Sequence, residues 1–352
     1  MTRKTLMCGN DACGEGAVLA GCRFYAGYPI TPQNELTAYM SKRMNETGGV
    51  FIQSESELAA INMVFGAAVA GARAMTSSSS PGISLKQEGI SYLAACELPA
   101  VIVNVQRGGP GLGNIAPAQG DYFQATKGGG HGDYNLIVLA PASVEEMLTL
   151  TYEAFDLADR YRNPVMILAD GLLGQMMEPI SVKSSEFTDH SKKYEKPWAL
   201  TGCKGRKPNI IRSLLLVEGA LEEHNKKLQE KFARMCQKEV RCELFKEKDS
   251  EIMLVAYGSC ARIARAAAER ARSKGIKAGV IRPISLWPFP YDILRELSGR
   301  IKNFLVVEMS AGQMLQDVRL GIEGRAKVDF YGRMGGGIPT EEEILGKIEE
   351  IA

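Results

Sequence analysis

Ala100-Val101-Ile102-Val103-Asn104-Val105 follows Leu98-Pro99 and runs on into Gln106-Arg107-Gly108. A strand with one wet face alternates apolar and polar side chains, whereas Val101-Ile102-Val103 is apolar without a break, as expected when helices cover both faces of a parallel sheet. Working outward, comparable short runs recur at residues 23–26, 50–53, 73–77, 136–140 and 164–170. Helix-length segments separate them, with apolar residues spaced three or four apart, as at Leu36, Met40 and Met44. Asn10 or Asp11 can cap the first helix, Pro32 suits a first helical turn, and Ser143 with Glu146 makes a capping box. Repeated βα units of this kind predict an α/β protein built on a parallel sheet.

Past residue 183 the pattern changes. His190-Ser191-Lys192-Lys193-Tyr194-Glu195-Lys196-Pro197-Trp198 is polar and charged, like a surface excursion. Residues 213–241 form a charged helical stretch, with Glu218, Glu222, Glu223, Lys226, Lys227, Glu230 and Lys231. A solvated helix laid over a domain surface is the ordinary interpretation, and a partner-docking arm the sharper one. Strand-like runs return at 252–257, 277–281, 304–307 and 328–331, with a helix over 259–273. The expected division is a first domain over 1–185, a connection over 186–250 and a smaller α/β domain over 251–352.

The whole chain of 352 residues, 45% hydrophobic and 24% charged, has a globular composition, so disordered and fibrous classes are excluded. Lys and Arg total 42 against 41 Asp and Glu, a net charge of +1. No global field draws such a chain to nucleic acid or an anionic membrane. No apolar run approaches the ~20 residues of a membrane span, and the apolar stretch after Met1-Thr2-Arg3-Lys4 is too short for a signal peptide. A cytoplasmic location is expected. The eight cysteines include no Cys-x-x-Cys pair and His131, His190 and His224 stand far apart. Neither a zinc nor an iron–sulfur site is expected in this chain.

In open α/β sheets the site forms at the carboxyl ends of the strands, which selects residues 27–33, 54–57, 77–82, 106–132 and 171 onward. Thr76-Ser77-Ser78-Ser79-Ser80-Pro81-Gly82 offers hydroxyls and amides to a polar ligand. Arg107-Gly108-Gly109-Pro110-Gly111-Leu112-Gly113 and Lys127-Gly128-Gly129-Gly130-His131-Gly132 are glycine-dense. They echo a dinucleotide fingerprint only loosely, and no Walker A sequence is present. Close approach of another subunit to these glycines is the preferred interpretation.

Tyr28-Pro29-Ile30-Thr31-Pro32, Gln53-Ser54-Glu55-Ser56-Glu57 and Leu98-Pro99 with Gln106-Arg107 together resemble the alpha subunit of 2-oxoacid:ferredoxin oxidoreductases, of the branched-chain (3-methyl-2-oxobutanoate) or 2-oxoglutarate type. The resemblance covers nearly the whole chain. It implies a thiamine diphosphate-enzyme pyrimidine-binding domain with a parallel sheet. A smaller transketolase C-terminal-like α/β domain would follow, containing Val280-Ile281-Arg282-Pro283-Ile284-Ser285-Leu286-Trp287-Pro288-Phe289-Pro290. In such enzymes a carboxylate on this domain hydrogen-bonds the cofactor's aminopyrimidine and sets its tautomer. The matching position is Glu57, with Glu55 the alternative two residues away; a glutamate here could also simply favour the first helical turn. Thr31 matches a threonine that binds the substrate carboxylate, although a hydroxyl between two prolines can equally serve the turn. Arg107 matches the arginine that pairs with that carboxylate, an assignment its bidentate fork suits, although an ordinary strand-end ion pair is the plain alternative. Tyr28 and Pro29 would lie against the cofactor. His131 and Asp121 could line the pocket.

The resemblance further implies thiamine diphosphate shared with a beta, diphosphate-binding subunit. Neither Gly120-Asp121-Tyr122 nor Gly132-Asp133-Tyr134 completes a Gly-Asp-Gly motif, so Mg²⁺ would sit on the partner. Iron–sulfur clusters would lie on partner subunits too, with a gamma and a ferredoxin-like delta subunit completing the set. Coenzyme A (CoA) would be the co-substrate and ferredoxin the electron acceptor, and the chain alone would be inactive. The rivals are a subunit of a non-oxidative thiamine diphosphate enzyme and a non-catalytic nucleotide-binding module.

Overall fold

The computed structural model describes residues 4–181, 187–188, 191 and 193–352. Its first part runs β1 (Thr5–Cys8), α1 (Gly9–Leu19), β2 (Phe24–Gly27), α2 (Asn34–Glu46), β3 (Val50–Gln53), α3 (Glu57–Val69), β4 (Ala74–Ser78), α4 (Ser80–Ala95), β5 (Ala100–Gln106), α5 (Tyr122–Thr126), β6 (Ile137–Leu139), α6 (Val144–Tyr161), β7 (Pro164–Asp170), α7 (Gly171–Gln175) and β8 (Met177–Ile180). The strands β6-β7-β5-β4-β2-β3 lie side by side and all pair in parallel. β5 and β7 are buried at every one of their seven residues, because α1 and α6 pack as one pair of helices and α3 and α4 as another. Each aliphatic side chain so buried contributes ~1.5–3 kcal/mol.

The second part runs α8 (Ala220–Lys238), β9 (Cys242–Phe245), β10 (Ile252–Val255), α9 (Gly258–Ser273), β11 (Ala278–Pro283), β12 (Ser285–Trp287), α10 (Tyr291–Ser298), β13 (Asn303–Glu308), α11 (Met314–Ile322), β14 (Lys327–Gly332) and α12 (Glu341–Ile351). A five-stranded sheet takes the order β14-β13-β10-β11-β9, parallel except for β9. β12 leaves this sheet and pairs antiparallel with β6, completing the seven-stranded first sheet. Side chains reinforce that exchange. Asp317 of α11 accepts from the Tyr122 hydroxyl at 2.6 Å, the Tyr291 hydroxyl at 2.5 Å and Lys127 Nζ at 2.5 Å. Asp170 at the end of β7 accepts from Ser259 Oγ at 2.7 Å, and Arg282 grips Glu146 with two 2.8 Å bonds.

Several local expectations change in the structure. β1 pairs antiparallel with β8 and delivers Cys8 in extended conformation, so Cys8 is the cap of α1 and accepts from Asp11 N at 3.4 Å. Asn10 is already inside the helix; its amide bonds Pro32 O at 2.9 Å and Glu35 Oε2 at 2.8 Å. Pro32 does not open α2, because Gln33 N closes a turn on Ile30 O first. Ser143 Oγ accepts from Glu146 N at 3.1 Å, but Glu146, held by Arg282, reaches Ala142 N instead of completing a capping box. The charged helix expected over 213–241 is α8, which starts later, at Ala220, and buries Leu228, Lys231, Phe232 and Met235. β9 lies within the span expected as a connection and pairs with β11. The boundary expected at 185/186 and His190 lie outside the described residues. Among those residues no helix is long and apolar enough to cross a membrane, and all eight cysteines are free thiols.

Candidate functional site

The carboxyl ends of β2, β3, β4 and β5 meet at the N-terminus of α4. Glu57 is the first residue of α3, capped by Ser56 Oγ on Ala59 N at 3.1 Å. Its side chain is buried, whereas Glu55 is exposed. The Glu57 carboxylate makes no hydrogen bond among the described residues. It faces Gly82 in the first turn of α4, where an added Cβ would stand 2.5 Å from Glu57 Oε1 and 2.1 Å from Ser78 Oγ. Only glycine leaves that carboxylate its place.

Behind Glu57 lies Lys86, fully buried on α4, donating to Thr76 Oγ1 at 3.0 Å and Glu57 O at 3.4 Å. Burial pushes this ammonium down to about 7, against the opposing pull of Glu57. Nothing in the sequence marked Lys86, because a lysine in an amphipathic helix ordinarily points to water.

Arg107 follows β5. Its Nη1 donates to Thr31 O at 3.0 Å and its Nη2 to Leu112 O at 3.1 Å, so the guanidinium joins the Tyr-Pro-Ile-Thr-Pro turn to the glycine-rich loop. Its Nε is buried without a partner. Thr31 Oγ1 accepts from Asn34 Nδ2 at 3.2 Å, leaving its own proton available. Tyr28 and Pro29 are exposed on the same edge. Ser80 Oγ receives Arg107 N at 3.0 Å and donates to Asp121 Oδ2 at 2.6 Å, which also takes Asn104 Nδ2 at 2.9 Å. Burial raises the Asp121 carboxyl, and those two donors oppose the shift. Ser78 Oγ and Ser79 Oγ are buried without hydrogen-bond partners.

The structure therefore brings Thr31 against Arg107 and sets Glu57 on the same α4 N-terminus through Gly82. Asp121 joins the group from beneath, through Ser80. His131 does not join it: its carbonyl accepts from Ser91 Oγ at 2.9 Å, eleven residues or ~16 Å further along α4. Within the chain the glycine loop folds closely on itself at one point. Gly113 has φ +58°, and a Cβ there would stand 1.6 Å from Gly108 O, whereas a Cβ at Gly109, Gly111, Gly128 or Gly132 would meet nothing within 4 Å. Among the described residues no group of three or more His, Cys, Asp and Glu side chains is placed to hold a metal ion.

A partnerless carboxylate on a buried residue, orphaned hydroxyls and a glycine cradle suit a polar heterocycle seated at this edge. Comparison with known proteins identifies the family. Residues 15–239 match the family model for pyruvate flavodoxin/ferredoxin oxidoreductase, thiamine diphosphate-binding, and residues 250–344 match pyruvate:ferredoxin oxidoreductase core domain II. The chain is 53% identical over 344 residues to the ketoisovalerate oxidoreductase subunit VorB of Methanothermobacter thermautotrophicus, covering 98% of this chain and 97% of the relative. It is 41% identical to the 2-oxoglutarate synthase subunit KorA of Archaeoglobus fulgidus, covering 94% and 95%. Among solved structures, the 2-oxoglutarate:ferredoxin oxidoreductase from Magnetococcus marinus with 2-oxoglutarate, coenzyme A and succinyl-CoA bound superposes with a TM-score of 0.89 at 28% identity; the match covers 99% of this chain and 65% of that one. A split-gene transketolase shares the fold alone, with a TM-score of 0.58 at 13% identity over 98% of this chain and 97% of that one. The chain belongs to the 2-oxoacid:ferredoxin oxidoreductase family, as a subunit that carries its thiamine diphosphate-binding domain and core domain II.

Proposed function

We propose that this chain is the alpha subunit of an oxidoreductase acting on 3-methyl-2-oxobutanoate, with the balance 2-oxoacid + CoA + two oxidised ferredoxins → acyl-CoA + CO₂ + H⁺ + two reduced ferredoxins. Thiamine diphosphate, when bound, supplies the electron sink that the departing CO₂ requires. Glu57 holds a proton at the cofactor's aminopyrimidine nitrogen. The partnerless state of the carboxylate of this otherwise buried residue is the observation that carries this assignment. Gly82 gives that carboxylate room, and Tyr28 and Pro29 flank the seat. Thr31 Oγ1 and Arg107 Nε, each with a proton to donate, orient the substrate carboxylate. The beta subunit contributes the Mg²⁺-bound diphosphate site, and iron–sulfur clusters on the partner subunits, a gamma and a ferredoxin-like delta among them, carry electrons to ferredoxin.

Two observations favour the branched substrate over 2-oxoglutarate. Identity to the VorB relative exceeds identity to the KorA relative. The cations that could meet a second carboxylate are engaged elsewhere: Arg73 with Asp156 and Asp159, Arg23 with Val18 O and Cys22 O, and Lys127 with Asp317. The test is to isolate the complex anaerobically through a tag on this chain and measure CoA-dependent viologen reduction with each 2-oxoacid. Turnover fastest on 3-methyl-2-oxobutanoate supports the assignment. Faster turnover on 2-oxoglutarate reassigns the substrate, and no reduction by the intact complex, with thiamine diphosphate and Mg²⁺ supplied, refutes the activity.

A further inference from the structure

At the amino-terminal edge of β5 and β7 a cavity of about 590 Å³ opens between the first domain and α8. It lies one strand length from Glu57, ~23 Å for seven residues. Six cations line it, Arg160, Arg162, Lys227, Lys231, Arg234 and Lys238, against one lining carboxylate, Glu97. The whole chain carries a net charge of only +1, so this is a strong local concentration of positive charge. Four of the six form one stripe on α8, at positions 227, 231, 234 and 238. Like charges three and four residues apart destabilise a helix by ~0.2–0.5 kcal/mol per pair, a cost that a bound anion removes.

Among the described residues the partners are too few for the charge. Glu97 serves both Lys227 and Lys231, and its carbonyl takes Arg162 Nε at 3.2 Å. Arg160 pairs with Glu239 at 3.2 Å. Arg234 and Lys238 are exposed, with no ion pair or hydrogen bond among the described residues. The Arg162 guanidinium lies over the Trp198 ring at 4.9 Å, which fixes its plane at the cavity wall. Lys231 is nearly buried at the floor, its ammonium pushed down to about 8 chiefly by burial.

We propose that this cavity binds a small polyphosphate anion, whose vicinal phosphoryl groups bridge the α8 stripe to Arg160 and Arg162. A volume of this size accepts a small molecule rather than a flat protein surface, and guanidinium forks match phosphoryl oxygens. Inorganic polyphosphate and a nucleoside triphosphate present the same groups. Nothing at the cavity reaches the Glu57 edge, so the anion is an effector or a stabiliser and not the reacting substrate.

The test is calorimetric titration of the full chain with sodium tripolyphosphate and, separately, with ATP, at about 50 and about 200 mM salt. The expected result is one site per chain, weakened by added salt and at least ~10-fold weaker in the Arg234→Gln/Lys238→Gln variant. Those two side chains make no ion pair or hydrogen bond among the described residues, and an unchanged melting temperature verifies that the variant is intact. Tighter binding of ATP identifies a nucleoside-bearing ligand, and equal binding an inorganic one. No saturable binding of either probe overturns the proposal, as does wild-type affinity in the double variant. Binding of poly-glutamate without binding of tripolyphosphate also overturns it, and makes the cavity part of a surface for an acidic protein.

Discussion

Replacing Gly82 by alanine tests the proposed role of Glu57 without touching that residue. The new Cβ would stand 2.1 Å from Ser78 Oγ, 2.5 Å from Glu57 Oε1 and 2.9 Å from Glu57 Cγ. Ser78 Oγ has no hydrogen bond to lose and can rotate aside. Glu57 must move as well: ordinary contact starts at 3.4 Å, so its carboxylate must retreat by about 0.9 Å. A displacement of ~1 Å at a reacting group costs up to ~100-fold in rate. Stability moves little, because alanine gains ~1 kcal/mol of helix propensity against ~1–3 kcal/mol of overpacking. The assembled complex carrying Gly82→Ala should therefore melt near the wild-type temperature, with turnover down ~30–100-fold and KM for the 2-oxoacid changed far less. In a double-mutant cycle with Glu57→Gln the two losses should fall well short of additive, since both act on one carboxylate. Turnover within ~3-fold of wild type refutes the reasoning. A full second loss on the Glu57→Gln background does so too, because the damage would then not pass through Glu57.

Three further outcomes are expected. Glu57→Gln in the assembled complex lowers turnover by roughly two or more orders of magnitude, whereas exposed Glu55→Gln stays within about 3-fold; a reversed ranking in steady-state assays moves the role to Glu55. Lys86 is depressed to about 7 in the fold against 10.5 unfolded. The unfolded chain thus holds the extra proton between those values, and wild type should gain stability on Lys86→Met by up to about 1.4 kcal/mol per pH unit across that window. Urea titrations at neutral and alkaline pH measure the difference, and a constant gap between the two proteins contradicts the burial argument. Asp317→Asn weakens three bonds at a buried carboxylate, two of them to the first part of the chain, and should cost about 2–4 kcal/mol. Lys127→Met, at the exposed end of the same group, should cost under about 1 kcal/mol; equal losses in thermal melts would show that Asp317 is held by its surface partner alone.

Much of the fold was legible because the strands at 50–53 and 164–170 owe their character to local composition. They span those residues in the structure, and the strand begun at Ala100 ends one residue later than expected, at Gln106. β1, β8 and β12 were not legible. Thr5–Cys8 is a strand because Met177–Ile180 lies beside it, and Ser285–Trp287 because β6 has an open edge; neither cause is local. The same division holds at the site. Family resemblance marked Thr31, Glu57 and Arg107, yet two carboxylates two residues apart differ by nothing that a sequence displays. Burial separates them in space. Lys86 and Gly82 owe their importance to one another's surroundings, and a pattern of types along the chain carries no record of that.

The strand exchanged at β12 bears on the order in which this protein can be made. The first sheet has six of its strands once Asp170 is synthesised, but the strand that covers β6 begins at Ser285. At ~5–20 residues per second those 115 residues take about 6–23 s to emerge. Throughout that interval the nascent chain presents an unpaired β6 edge, with Ile137, Val138 and Leu139 along it, the kind of surface that recruits foreign strands. The charged α8 is translated before the closing strand arrives. In the finished fold its Phe232 meets Trp287 of β12 edge to face at 6.1 Å, so the helix that reaches the ribosome's exit first is already the wall against which the last strand will dock.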